Sequence, residues 1–195
     1  MVTKGRICML IGIILMFLSA CFVIRNIKEN EKAGKSSSKY LDAVKAQIPG
    51  NYSGYQATVK KTGEMPAIES EGYSFIGTIK IPSLSIELPV QSNWSSINAK
   101  KSPCRYVGSV YENSLIIAGH NYDRHFGRLK MLNSKDKIIV TDTLGNEFGY
   151  EVVSIEIIGA EDVDKMLEGD WDLTVFTCTI GGANRVTVRC KSVQK

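Results

Sequence analysis

One stretch near the C-terminus, Leu173-Thr-Val-Phe-Thr-Cys178-Thr-Ile-Gly-Gly-Ala-Asn-Arg185-Val-Thr-Val188, predicts a β-hairpin. β-Branched and aromatic residues on both sides favour strands. Gly181-Gly182 between them suits a tight two-residue turn, because glycine accepts positive φ without steric cost. A turn centred on these glycines places Cys178 directly opposite Arg185. Opposed residues share a face and have Cβ atoms about 5 Å apart, so the guanidinium lies within reach of any group that the thiol attacks.

The same register divides the hairpin into two faces, because side chains alternate along a strand. One face carries Cys178 and Arg185 together with Thr174, Phe176, Thr187 and Arg189. We expect Arg189 to be a surface cation there. The other face is the predicted core side and carries Leu173, Val175, Val188 and Cys190.

Only two histidines occur in the chain, so there are few candidates for a catalytic base. His120 follows the predicted strand Leu115-Ile-Ile-Ala118 and Gly119, a position that lifts a side chain onto the rim of a sheet or barrel. His125 follows Arg124 in the next loop, where we expect a solvated ring whose pKa the neighbouring cation lowers. A strand-end Cys178, Arg185 beside it and the more distant His120 are together the parts of a cysteine acyl-transfer site.

The middle of the chain consists of short β-type segments. Alternating or continuous apolar runs predict strands at 75–81, 85–88, 114–118, 137–141 and 150–157, with a turn at Leu144-Gly145-Asn146. Closely spaced short strands are typical of a barrel or sandwich.

Of the remaining cysteines, Cys190 fits a buried apolar position, while Cys104 has no evident role and nothing brings the two together as a disulfide.

The N-terminal region contains an apolar run from Ile7 to Ile24. As a helix it is about 27 Å long, just enough to cross the hydrocarbon core of a bilayer. The short tail before it favours a C-terminus outside, although the basic residues after the span give no support from charge asymmetry. Leu18-Ser19-Ala20-Cys21 offers an alternative, a lipoprotein processing site at Cys21, but the apolar run continues beyond it and favours an uncleaved anchor.

These observations predict four regions. We expect a cytoplasmic tail at 1–6, a transmembrane anchor at 7–24, a linker at 25–71 with a short helix near 39–47, and one catalytic domain at 72–195.

The net charge of +4 and the lack of a basic run interleaved with aromatics argue against nucleic acid as a partner. The acidic stretch 161–172 lacks the spacing of an EF-hand, so it predicts a solvated helix face with capping acids rather than a calcium site.

These motifs resemble those of the sortases, the membrane-anchored cysteine transpeptidases of Gram-positive bacteria. The segment ending at Cys178 looks like the family's Thr-Leu-x-Thr-Cys motif, with Val175 at the Leu position. Arg185 before Val-Thr-Val resembles the family's catalytic arginine, and Ala118-Gly-His120-Asn resembles its strand-end histidine. Phe126-Gly-Arg-Leu129, Ile81-Pro82 and Leu88-Pro-Val90 are also similar to family segments.

The resemblance implies a mostly β fold, a closed antiparallel barrel of about eight strands with short helices, preceded by the transmembrane helix. It implies no cofactor (calcium is bound by some relatives) and catalysis by Cys178, His120 and Arg185. The substrate would be a Leu-Pro-x-Thr-Gly-type sorting signal on secreted proteins, and the acceptor an amine of a peptidoglycan precursor or a pilin lysine. No Asp-Pro-aromatic lid motif occurs, so a lidless, single-anchor enzyme at the outer face of the cell membrane is expected. A hydrolytic thiol peptidase using the same residues, and a non-catalytic barrel that presents a binding surface, remain alternatives.

Overall fold

The computed structural model of the chain describes residues 4–49 and 63–193. It contains a long N-terminal helix, nine strands and two short helices, besides short 3-10 turns. In chain order these are α1 (Lys4–Lys45), β1 (Ile68–Ser70), β2 (Tyr73–Ile81), β3 (Ile86–Gln91), α2 (Ser96–Ala99), β4 (Cys104–Val107), β5 (Leu115–Gly119), β6 (Lys137–Asp142), β7 (Glu147–Gly159), α3 (Val163–Leu167), β8 (Leu173–Cys178) and β9 (Asn184–Ser192).

The strands form a closed barrel. Their order is β1-β2-β3-β4-β5-β8-β9-β7-β6, and β2 pairs with β6 as well as with β3, which closes a ring of eight strands with β1 outside it. The predicted eight-stranded barrel is therefore confirmed. It is not wholly antiparallel, since β3 pairs with β4 and β5 pairs with β8 in parallel.

Two strands, β1 and β4, were not predicted from the sequence. Both are short, and β4 meets β3 through a single residue pair, Gln91 with Cys104. The position of Cys104 now has an explanation, because its partner on the other side is Ala118 of β5 and its side chain is fully buried.

Helix α1 runs unbroken for 42 residues, through the expected anchor and well into the expected linker. Its first half has the length and composition needed to cross a membrane. The short helix expected near 39–47 is the last part of this longer one. The charged residues of the second half of the helix are exposed, and residues 50–62 of the expected linker lie outside the described residues.

The other side of α1 packs against the barrel. Ala33, Ser37 and Val44 are buried and recur at helical spacing. Tyr40 lies between them and contacts the rings of Tyr73 and Phe75, with centroids 5.3 and 5.7 Å away. Tertiary contacts of this face thus extend the helix where local composition is only weakly favourable.

Two apolar clusters stabilise the barrel. The large one fills its interior and includes the four residues predicted for the core face of the hairpin, Leu173, Val175, Val188 and Cys190. The small one lies on the outer face and consists of Ile116, Ala118, Ile158, Met166 and Phe176. This second cluster forms the floor under the candidate site.

Closure of the barrel depends on Gly77. This residue pairs with Val90 of β3 and with Asp142 of β6, next to an irregularity in the β2–β3 register. Its φ is +140°, and a Cβ here would lie 1.9 Å from the Thr141 carbonyl oxygen. Only glycine fits both the backbone conformation and the close approach.

We expect Gly77→Ala to lower the free energy of unfolding by about 3 kcal/mol or more, because β2 and β6 must separate to admit the methyl group. Thermal and urea unfolding followed by tryptophan fluorescence would measure the loss. Gly149→Ala is the matched control, since a Cβ at Gly149 meets no atom within 4 Å. Equal stability of the two variants would contradict this account of barrel closure.

Candidate active site

Parallel pairing of β5 with β8 brings together two strand ends that are distant in sequence. The pairs run from Leu115–Leu173 to Gly119–Thr177, so the next residue of each strand, His120 and Cys178, emerges at the same edge of the barrel. Both side chains, together with Arg185, line one cavity of about 320 Å³. The structure therefore assembles the three residues that the sequence singled out.

The predicted register of the β8–β9 hairpin is confirmed, with Cys178 opposite Arg185. The turn is wider than predicted. Thr179 still pairs with Asn184, the Gly182 amide donates to the Thr179 carbonyl at 2.9 Å, and Gly181 and Gly182 have φ of +85° and +77°. The loop stays centred on the two glycines, so its extra residues do not change the pairing.

Arg185 is held by the turn that it closes. Its Nη1 donates to the carbonyl oxygens of Gly182 at 2.9 Å and Asn184 at 3.2 Å. These bonds use one nitrogen of a five-donor group. They hold a half-buried guanidinium at the cavity wall, in the pair position next to the thiol.

His120 is half-buried and stacks on Tyr122, with ring centroids 4.2 Å apart and planes within 7°. Its Nδ1 is buried and has no hydrogen-bond partner among residues 4–49 and 63–193. Burial lowers the pKa of His120, and the nearby Lys100 ammonium lowers it further, while Glu29 opposes the shift. The neutral imidazole is therefore favoured at neutral pH.

The expectation for His125 was wrong. This side chain is fully buried rather than solvated, because α1 covers the loop that carries it. Burial lowers its pKa to about 4, with only a partial offset from the backbone of Ala33 in α1. Burial, and not the adjacent Arg124, is the main cause of the shift.

Arg189 is also buried, contrary to the expected surface position. Its Nη1 donates to the Met166 carbonyl at 2.9 Å and to Thr174 Oγ1 at 3.2 Å, and its Nε lies 3.5 Å from a Glu156 carboxylate oxygen. A cation at the C-terminal end of a helix satisfies carbonyls that the helix leaves unpaired. Arg189 thus fixes α3 over the outer cluster.

The cavity is mainly apolar. An aromatic series crosses it, in which Tyr106 makes edge contacts with Trp94 at 6.1 Å and with Phe176 at 5.5 Å. Met166 of α3 forms part of the opposite wall. Sequence analysis did not find Trp94 or Tyr106, because they come from a loop and an unpredicted strand and belong to no recognisable pattern.

The acidic stretch 161–172 forms the short helix α3 and its flanks. Asp162 at the helix start makes no side-chain capping bond and instead lies 3.1 Å from the Lys165 ammonium. Asp172 is buried and accepts a 2.7 Å hydrogen bond from the Ser192 amide. Within 4–49 and 63–193, no group of three or more His, Cys, Asp or Glu side chains is arranged to hold a metal ion.

The cysteines of the barrel differ in exposure. Cys104 and Cys190 are fully buried and unbridged, and burial raises the pKa of each to about 12. Cys178 is half-exposed on the cavity wall.

Since the thiolate is the reactive form, we expect iodoacetamide at pH 8 to label Cys178 at least about 100-fold faster than Cys104 or Cys190. Peptide mass spectrometry of the native protein, with the urea-unfolded protein as the control, would measure the ratio. Equal labelling of the three in the native protein would contradict the buried positions.

Lys100 lies on the cavity wall and contributes to the low pKa of His120. We expect Lys100→Met to raise the pKa of His120, because a repulsive positive charge is removed. Because the chain contains only two histidines, side-chain NMR titration can measure the pKa of His120 without crowded signals. Lys101→Met is the matched control, since Lys101 does not line the described cavity. An unchanged midpoint in Lys100→Met would show that burial alone sets the value.

Comparison with known proteins places this geometry in a family. The protein-family model described as the sortase domain matches residues 79–193 of this chain. Sortase A of Bacillus anthracis is 24% identical over 190 residues, covering 90% of this chain and 88% of that protein. Among solved structures, a Clostridium perfringens sortase D5 transpeptidase matches with a TM-score of 0.60 at 20% identity, over 82% of this chain and 99% of that one. Sortase C-1 of Actinomyces oris matches with a TM-score of 0.54 at 25% identity, over 61% of this chain and 73% of that one.

The family match covers more than half of the chain, and the eight-stranded barrel agrees with it. The chain therefore belongs to the sortase family of cysteine transpeptidases that act on sorting signals.

Proposed function

We propose that this chain is a membrane-anchored sortase that cleaves a Leu-Pro-x-Thr-Gly-type signal between Thr and Gly and joins the new acyl end to an amine. Cys178 is the nucleophile, His120 the acid and base, and Arg185 the oxyanion partner. The observation that carries the proposal is the meeting of these three side chains on one cavity wall through two independent strand pairings.

The reaction follows from these roles. The Cys178 thiolate attacks the Thr carbonyl carbon, and the carbonyl electrons move to oxygen, where the Arg185 guanidinium stabilises the charge. The tetrahedral intermediate collapses, the C–N bond breaks, and the His120 imidazolium gives its proton to the leaving Gly amine. A thioester remains. An acceptor amine then gives a proton to His120, attacks the thioester and releases the Cys178 thiolate as a new amide forms.

The low pKa of His120 has a kinetic consequence. Its imidazolium is a minor form at neutral pH, because burial and Lys100 oppose the charge. The pair of thiolate and imidazolium is therefore a small fraction of the free enzyme, and turnover is expected to be slow. Binding of a donor peptide that excludes water from the cavity would strengthen the attraction between the two charges.

The apolar part of the cavity supports a Leu-Pro donor. Phe176 and Met166 form its floor and wall, and Tyr106 and Trp94 extend it towards solvent. The side chains of leucine and proline carry no hydrogen-bonding groups, so their burial suits a site with few polar groups. The scissile bond then lies at the polar end, next to Cys178 and Arg185.

Helix α1 supports the proposed membrane anchor, and the position of the anchor determines which acceptor amines are within reach. Its first half suits a membrane span, and the catalytic domain is proposed to lie at the outer face of that membrane, where sorting signals of secreted proteins are accessible. At that surface the available amines are those of peptidoglycan precursors and of pilin lysines. Both are proposed here as acceptors, and sorting-signal-bearing secreted proteins as donors.

Intact-mass spectrometry of the full chain in detergent, with a Leu-Pro-x-Thr-Gly peptide library and with or without triglycine, would test the proposal. We expect a thioester adduct on Cys178 that converts to an amide product when triglycine is present. An adduct that yields only the free acid in both cases would favour a hydrolytic peptidase. A folded wild-type protein that forms no adduct with any peptide would favour the non-catalytic binding module.

Three variants separate the roles. Cys178→Ala is expected to abolish the adduct, His120→Ala to reduce turnover by about 10³-fold or more, and Arg185→Lys by about 10²-fold because the forked donor is lost. Cys21→Ala is the matched cysteine control and should leave the adduct unchanged. Adduct formation by Cys178→Ala at the wild-type rate would overturn the assignment.

A further inference from the structure

The catalytic roles proposed above leave the orientation of His120 unexplained. Its buried Nδ1 has no hydrogen-bond partner in the part of the chain that the structure describes, so no such bond fixes the rotation of the ring. The contact that does define the ring plane is the parallel stack on Tyr122, at 4.2 Å. A proton donor must be aimed within a fraction of an ångström of the leaving nitrogen, which makes this stack relevant to catalysis.

Tyr122 is itself held by the loop that follows β5. Its carbonyl oxygen accepts hydrogen bonds from the His125 and Gly127 amides, both at 2.9 Å. Its ring meets the edge of the His125 ring at 5.6 Å. The buried His125 ring therefore packs against Tyr122.

His125 is an unusual support, because its ring is fully buried and neither nitrogen makes a hydrogen bond of normal geometry among the described residues, the Ala33 backbone being the one polar group that favours its charged form. An imidazole in this state keeps its position only while packing encloses it. Helix α1 supplies that packing, with buried Ala33 next to the ring.

Two further contacts join α1 to the same loop. The Arg124 amide donates to Asn30 Oδ1 at 3.3 Å. The Arg124 side chain lies over Gly34, where a Cβ would be 3.0 Å from Arg124 Cγ. Asn30, Ala33 and Gly34 thus form one contact surface for the loop, just beyond the apolar half of the helix.

We propose that Tyr122 is a positioning residue for the His120 imidazole, and that helix α1 holds Tyr122 in place through the contacts of Asn30, Ala33 and Gly34 with its loop. The inference rests on the proposed function only for the role of His120. The helical part of the expected linker then belongs to the catalytic domain, and it connects the membrane anchor to the catalytic histidine through Tyr122 and its loop.

Histidine side-chain NMR of the full chain in detergent micelles tests the geometry without requiring activity, with His120→Gln to assign the two rings. Tyr122→Leu should move the His120 ring-proton signals downfield, since a stacked ring shields them, and should raise the pKa of His120 as its ring becomes more exposed. Tyr122→Phe should keep both values. Lys100 and Glu29, the charged groups that act on His120, stay the same in every variant.

The contribution of α1 is tested by Gly34→Leu against Lys35→Leu, which adds the same side chain at the next position, on the exposed surface. Gly34→Leu should displace Arg124 and shift the His120 signals in the direction seen for Tyr122→Leu, and Lys35→Leu should not. Asn30→Ala removes only the bond to the Arg124 amide and should give a smaller shift in the same direction, which keeps the test valid if Gly34→Leu fails to fold.

Kinetics complete the test. Tyr122→Leu should lower kcat for amide formation by about 10-fold or more, with the donor KM within about twofold, because orientation of the acid is lost and donor binding is not. Unchanged His120 signals in a folded Tyr122→Leu variant, or equal effects of Gly34→Leu and Lys35→Leu, would overturn the inference. A wild-type protein without turnover would instead count against the proposed function, while the NMR comparison would still decide the positioning.

Discussion

Five residue pairs between β5 and β8 bring the ends of two strands to the same edge of the barrel, and the rest of the site depends on this parallel contact. Antiparallel neighbours would place the two strand ends on opposite rims. Because β5 and β8 run in the same direction, the residue after each strand meets the residue after the other, and His120 and Cys178 become neighbours without any contribution from loop conformation. The β8–β9 hairpin then adds Arg185 by register alone. Strand pairing thus sets the backbone positions of all three residues, while the rotation of the His120 ring is left to its contact with Tyr122.

Much of this arrangement is predictable from local sequence. The register of the hairpin follows from Gly181-Gly182 and the flanking β-branched residues, and it survives a wider turn because the loop remains symmetric about the glycines. The core face follows from strict alternation, so Leu173, Val175, Val188 and Cys190 were identified correctly. The family resemblance supplied what alternation cannot, namely that distant strands close into an eight-stranded barrel and that His120 belongs beside Cys178.

Three of the failures share one physical cause, which is burial created by distant parts of the chain. His125 and Arg189 are polar residues that composition alone assigns to the surface, yet α1 covers the first and α3 the second. The helical continuation of α1 beyond Arg25 was missed for the same reason, since its buried face is short in apolar residues and is completed by aromatic side chains of β2. Tertiary packing overrides composition at each of these places.

The unbroken course of α1 has a consequence for the reach of the enzyme. A flexible linker would let the catalytic domain search a volume above the bilayer, but a helix that packs on the barrel from Asn30 onward does not bend at that point. Asn30 lies about 9 Å beyond Ile24, the last residue of the apolar run, at the rise of a regular helix. With the anchor in a membrane, as proposed, the loop of His120 stays close to the headgroups. Under the proposed function, donor and acceptor then meet at the lipid surface, and a substrate whose signal lies farther from the membrane is beyond the reach of this enzyme.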